Sequence, residues 1–165
     1  KTMFKVAIVC MSDKGSKGER EDISTQVIEK IILENGYKIT KKVLIPDDFQ
    51  KIKDTLIEIC DNNHADLILT TGGTGFSKRD VTPEATEEII EKRVPGIPEA
   101  IRAYSLTITK RAMLSRATAG IRKDTLIINM PGSPKAVEES LTYIISELKH
   151  GLEILVGSAS ECARK

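Results

Sequence analysis

With 165 residues and 40% hydrophobic content, the chain can bury one ordinary core, and a single domain without a linker is expected. The 25 Lys and Arg stand against 24 Asp and Glu, and a formal net charge of +1 excludes the global field that gathers nucleic acid or an anionic membrane; any anionic ligand needs a local site. Aromatic content of 4% without Trp argues against a base-stacking surface, and the apolar runs fall far short of the ~20 residues of a membrane helix, so no nucleic-acid and no membrane partner is expected.

In chain order, residues 4–11 (FKVAIVCM) form a short β-branched run of the kind buried on both faces of a parallel sheet. A polar loop follows, then Ile23, Val27, Ile28, Ile31 and Ile32 recur at helical spacing, with Gly36 placed to end the helix. Residues 37–45 predict a second strand, and Phe49, Ile52, Leu56, Ile59 and Cys60 a second amphipathic helix capped by Asp47 or Asp48. Residues 66–71 (DLILTT) predict a third buried strand running into Gly72-Gly73-Thr74-Gly75. Thr82, Pro83 and Glu84 read as N-cap, first-turn Pro and dipole-complementing acid of a helix reaching about Arg93, and Pro98 opens another. Residues 117–122 and 125–130 predict a small β-hairpin across Lys123-Asp124, and a last helix is expected from about Pro134 through Leu148, with residues 157–165 frayed. Strands alternating with helices predict an α/β fold, a three-layer α/β/α sandwich on a mostly parallel sheet.

In such sheets the loops leaving the carboxyl ends of the strands share one edge, where ligands bind. That rule gathers Ser12 and Asp13, Asp47, the loop from Gly72 to Asp80, and Pro131, Gly132, Ser133 and Pro134. The GGTG string is neither GxGxxG nor a P-loop; it reads equally as a phosphate cradle of bare N–H groups and as a tight turn. Asp47 and Asp80 are candidates to hold a hard cation such as Mg²⁺, with a helix cap the rival for Asp47 and a turn the rival for Asp80. Ser133-Pro134 also fits a cap and first-turn Pro, and Lys14, Lys78 and Arg79 fit either phosphate contact or plain surface charge. His64 and His150 have no partner pattern, and Cys10 fits the core better than a nucleophile. The cysteines at 10, 60 and 162 lack disulfide or zinc spacing, and no signal-peptide pattern opens the sequence, so a reducing cytoplasm is expected.

The run TTGGTGFSKRDVTPEAT at 70–86, MLSRATAGIR at 113–122 and NMPGSP at 129–134 closely resembles the MogA/MoaB family of molybdenum-cofactor biosynthesis and the corresponding domains of gephyrin and the plant cofactor-synthesis protein. The MSD at 11–13 and Asp47 of IPD fit the same pattern, so the resemblance covers nearly the whole chain. It implies one molybdopterin-binding domain over residues 1–165, in which the terminal phosphate of molybdopterin attacks the α-phosphorus of Mg·ATP to give adenylylated molybdopterin and pyrophosphate. Asp47 and Asp80 are then the essential acids and metal ligands, and Ser115 and Arg116 of MLSR are substrate-side contacts. Gly72, Gly73, Thr74 and Gly75, with Ser12, Asp13 and the loop Pro131, Gly132, Ser133 and Pro134, complete the substrate pocket. The resemblance further implies a homo-oligomer, trimer or hexamer, and a separate molybdate-inserting partner. A molybdopterin-binding carrier or regulator without transferase activity is the alternative that the same residues allow.

Overall fold

The computed structural model describes residues 3–164, with side chains described for residues 3–157. The β-branched runs form β1 (Lys5–Met11), β2 (Lys38–Ile45), β3 (Leu67–Thr71) and β6 (Thr125–Met130), which lie side by side as β2-β1-β3-β6, every pair parallel. β5 (Ala119–Arg122) folds back antiparallel on β6 around Lys123, whose φ of 53° makes the tight turn, and β4 (Lys92–Arg93) closes the order antiparallel to β5. Among the described residues the sheet is thus six-stranded and mostly parallel.

Alternation along the strands divides the core into two layers. After the single turn α1 (Asp13–Ser16), the helices divide between the faces: Val6, Ile8, Leu67, Leu69 and Ile128 point to one face, which α2 (Ile23–Glu34), α5 (Gly96–Leu106) and α6 (Pro134–Arg164) cover. Ala7, Val9, Ile68 and Ile127 point to the other, under α3 (Phe49–Asp61) and α4 (Thr82–Ile89). The three-layer α/β/α sandwich expected from the sequence is the fold found. α2 ends as its sequence specifies, with Gly36 at φ 84° two residues beyond Glu34.

Three boundaries differ from expectation. The helix expected to reach Arg93 stops at Ile89, because residues 92–93 pair with β5; a β-carbon on Gly120 would overlap Ile90 and crowd the Lys92 carbonyl, so the glycine admits this strand. Thr82 is not the cap but the first helical residue of α4, and Val81 precedes it without a side-chain cap bond. The last helix is longer than expected, running from Pro134 through Arg164, since no proline interrupts it; Lys165 lies outside the described residues. No helix among the described residues is long and apolar enough to cross a membrane.

One polar side chain ties the layers behind the strand ends. Buried Asn129 of β6 donates to the Thr70 and Thr86 hydroxyls, at 3.1 Å each, and accepts the Thr118 N–H at 3.1 Å. Asn129→Ala takes its partner from the Thr70 hydroxyl and the Thr118 N–H, while the Thr86 hydroxyl keeps its bond to the Thr82 carbonyl, and is expected to destabilise by roughly 3 kcal/mol, a fall in Tm of about 6–12 °C by calorimetry; an unchanged Tm would show that the network carries nothing.

Candidate functional site

The strand order reverses at β1, which has β2 on one side and β3 on the other, and loops leaving such a point diverge to form a crevice. Among the described residues, two adjoining cavities open on this edge. The first, about 560 Å³, is walled by Ser12, Asp47, Gly72, Gly73, Asp80, Gly132, Ser133 and Pro134, among others. The second, about 360 Å³, is walled by Thr74, Gly75, Ser115, Pro131 and Ser133, with α5 and the 3-10 turn Lys110–Leu114 behind. The glycine loop and the loop at 131–134 stand between them and contribute to both.

The glycines are required by their surroundings. Gly72 has φ 97° and lies so near the end of β1 that a β-carbon would overlap the Met11 carbonyl oxygen; Gly73 has φ 73° and a β-carbon there would overlap the Thr82 hydroxyl. The loop at 131–134 is drawn against them. Ser24 and Thr71 donate to the Gly132 and Pro131 carbonyls, at 2.6 Å each, and a β-carbon on Gly132 would lie 3.4 Å from Gly72 Cα. Ser133 caps α6 by accepting the Ala136 N–H at 3.2 Å, so the cap reading holds and a helix N-terminus faces the crevice, where an anion is favoured.

The cap reading of Asp47 goes instead to its neighbour: Asp48 accepts the Lys51 N–H at the start of α3. Asp47 is left free for the cavity. Its Oδ2 accepts the Asp13 N–H at 3.1 Å, while its Oδ1 is buried beside Gly73 without a partner, as is the Thr82 hydroxyl. Burial raises the Asp47 carboxyl above the ordinary range, the nearby charges of Asp13 and Asp80 raise it further, and the Asp13 N–H opposes them. Asp80 serves its turn, accepting the Ser77 N–H at 2.9 Å, and still reaches the cavity wall.

Asp13 and Arg116 depart from the substrate-contact expectation, because neither lines the two cavities and both carry protein partners. The Asp13 carboxylate accepts the Asp47 N–H at 3.0 Å and a two-pronged pair from Arg79 at 2.9 and 3.0 Å, which holds its pKa down at about 2. Arg116 donates to the carbonyls of Gly75 and Asp80, at 2.8 and 2.7 Å, and pairs with Glu84, so it fastens the glycine loop to α4. Lys14 and Lys78 are exposed and line neither cavity, and His64 and His150 are exposed as expected. Cys10 is buried, its thiol pushed up to about 12 mainly by burial, and it stands in the wall of the first cavity rather than within either core layer.

Sequence reasoning missed Arg20, Glu21, Asp22 and Ser24 in the first cavity and Arg102 and Ser105 in the second. Asp22 caps α2 by accepting the Thr25 N–H. A helix following β1 must begin at the edge where β1 ends, so its cap region was open to inference. Arg102 is brought in by α5, and no local pattern announces it.

The first cavity carries Glu21, Asp22, Asp47 and Asp80 against Arg20. A polyphosphate entering it needs a cation to offset those charges, and a buried carboxylate oxygen without a partner suits a hard divalent ion. Among the described residues no group of three or more His, Cys, Asp or Glu could hold a metal by itself, so ligand oxygens would have to share it.

Known proteins agree with this architecture. Residues 7–150 match the family described as a probable molybdopterin binding domain. The chain is 37% identical over 163 residues to molybdopterin adenylyltransferase of Helicobacter pylori, covering 97% of this chain and 92% of that protein. It is 39% identical over 141 residues to the protein of that name from Escherichia coli, covering 84% and 72%. The crystal structure of the molybdopterin biosynthesis enzyme MoaB from Thermus thermophilus superposes with a TM-score of 0.89 at 43% identity, covering 94% of this chain and 98% of that one. The chain belongs to the molybdopterin-binding domain family, as its glycine loop and its two strand-end acids lead one to expect.

Proposed function

We propose that this chain transfers an adenylyl group from ATP to molybdopterin, releasing pyrophosphate, in molybdenum-cofactor biosynthesis. The observation that carries the reading is the pair of adjoining cavities, divided by the glycine loop and the 131–134 loop, with Asp47 and Asp80 lining the first of them, which we assign to the nucleotide. The relatives named adenylyltransferases support it.

The terminal phosphate of molybdopterin is the nucleophile. Its oxygen forms a bond to the α-phosphorus of ATP as the bond to the β-phosphate breaks, and the electron pair leaves on pyrophosphate. That phosphate is already deprotonated near neutral pH, so no side chain is required as a base. The chain's part is alignment and charge. Ser115 and the residues behind it hold the pterin, the Ser133-capped end of α6 and the bare N–H groups of residues 72–75 receive phosphate oxygens, and Ser12 and Ser24 border the nucleotide cavity. Asp47 and Asp80 would hold Mg²⁺, which would neutralise phosphate charge when bound. The working form is a homo-oligomer, a trimer or hexamer in the cytoplasm, and its product passes to a molybdate-inserting partner.

Incubation with molybdopterin, Mg²⁺ and ATP tests the reading. Wild type is expected to give adenylylated molybdopterin and pyrophosphate, and Asp80→Asn to give roughly 10²–10³-fold less while still binding molybdopterin. Wild-type binding without product would identify a carrier and end the transferase reading.

A further inference from the structure

We propose that Asp13 and Arg79 are positioning residues of the transfer site, which fix Asp47 so that one carboxylate oxygen is committed to the protein and the other is left for the ligand. The proposal rests on the transferase reading for its kinetic consequence, and its geometry stands apart from that reading.

The parallel ladder between β1 and β2 ends with Met11 opposite Ile45 and the Ser12 N–H donating to the Ile45 carbonyl at 2.9 Å. Asp13 and Asp47 each stand two residues beyond that last pair. There the main chains no longer bond each other directly, and the side chains take over: each aspartate accepts the other's N–H, at 3.1 and 3.0 Å. The exchange is reciprocal. Asp47 therefore uses Oδ2 within the protein and keeps Oδ1, which lies beside Gly73 without a partner.

Two carboxylates joined this way repel each other, and Arg79 answers the repulsion. Its Nε and a terminal nitrogen grip both oxygens of Asp13 in the fork geometry that favours a carboxylate. Arg79 immediately precedes Asp80, so the same grip ties the loop carrying the second acid to the loops carrying the first. An exposed ion pair is usually of little consequence to a fold. This one differs because Asp13 also accepts a main-chain N–H from the residue that faces the ligand. A phosphate-binding duty for Arg79 is the competing assignment, and the two are separable by experiment.

Arg79→Ala, Asp13→Ala and the double variant are compared in the transfer assay and by amide hydrogen exchange on the whole chain without ligand. Positioning predicts that each single change lowers kcat about 10- to 100-fold with the KM for ATP nearly constant, and that the double variant is no slower than Asp13→Ala, because Arg79 acts through Asp13. The Asp47 amide is expected to exchange roughly tenfold faster in Arg79→Ala, while β1 and β3 amides and the Tm stay near wild type. A raised KM with unchanged kcat in Arg79→Ala, multiplying losses in the double variant, or unaltered Asp47 exchange would overturn the proposal. If wild type forms no product, the transferase reading fails on that result, and the exchange measurement alone decides whether Arg79 holds Asp47.

Discussion

Asp47→Asn is expected to lower adenylyl transfer roughly 10²–10³-fold and at the same time to raise the melting temperature of the ligand-free protein. The two effects share a cause. Oδ1 of Asp47 is buried without a partner, and its neighbours Asp13 and Asp80 are also acids. An asparagine keeps one oxygen to accept the Asp13 N–H and turns an amide donor toward Gly73 and the unpartnered Thr82 hydroxyl, so it removes a buried charge and offers an orphaned oxygen a donor. A gain of about 1 kcal/mol, or about 2–4 °C in Tm, is the expected size. Its pH dependence has a definite sign. Burial raises the folded-state pKa above the unfolded value of about 3.9, so wild type loses stability as pH rises through the folded value and stays penalised above it. Below about pH 3.9 both states hold the proton, and the two proteins converge. Calorimetry from pH 3 to 8 reads the gap. A variant that melts below wild type at neutral pH would refute the account of Asp47 as an unpaired acid.

Gly72→Ala and Gly73→Ala are expected to fail in different ways, although both residues have positive φ. At Gly72 the obstruction is the Met11 carbonyl oxygen, which belongs to the main chain at the end of a central strand. No second substitution moves it. A loss of roughly 2–4 kcal/mol follows, about 5–15 °C in Tm, with activity lost as the loop is displaced. At Gly73 the obstruction is the Thr82 side-chain hydroxyl. Thr82→Ala in the same protein takes that atom away and is expected to recover most of the lost stability, leaving roughly 1 kcal/mol for the left-handed backbone. Thermal melts of both single and both double variants with Thr82→Ala make the comparison. Equal rescue of the two glycine variants, or none for Gly73→Ala, would contradict the geometry.

The layers and strand directions were readable because periodicity reports burial, and the runs at 4–11, 66–71 and 125–130 are rich in apolar residues on both faces, as strands covered on both sides are. The edge at which the loops gather followed from the same reading. The sequence could not apportion roles within the loops. Whether Asp47 or Asp48 caps α3 turns on a backbone angle, and Asp48 takes the cap with an extended conformation at φ −116°. Asp13 and Arg79 lie 66 residues apart, and Arg116 and Gly75 lie 41 apart; no spacing rule connects such pairs. An arginine beside an acid in a glycine-rich loop reads as a ligand contact from sequence alone, and the fold shows it gripping Asp13. The short β4 was hidden for a similar reason, because its reason for existing is the bare backbone of Gly120 on another strand.

The antiparallel return at β5 has a consequence for how such a protein can change. The first cavity is built on the ends of β1, β2 and β3, deep in the parallel sheet, where any shift disturbs both halves of the core. The second is roofed by residues 96–115, an excursion whose sheet attachments are β4 before it and β5 after it, at the periphery. Residues there can be exchanged or the excursion lengthened without altering the register of the central strands. The lining of the second cavity can therefore diversify while the first, beside it, is held in place by the architecture.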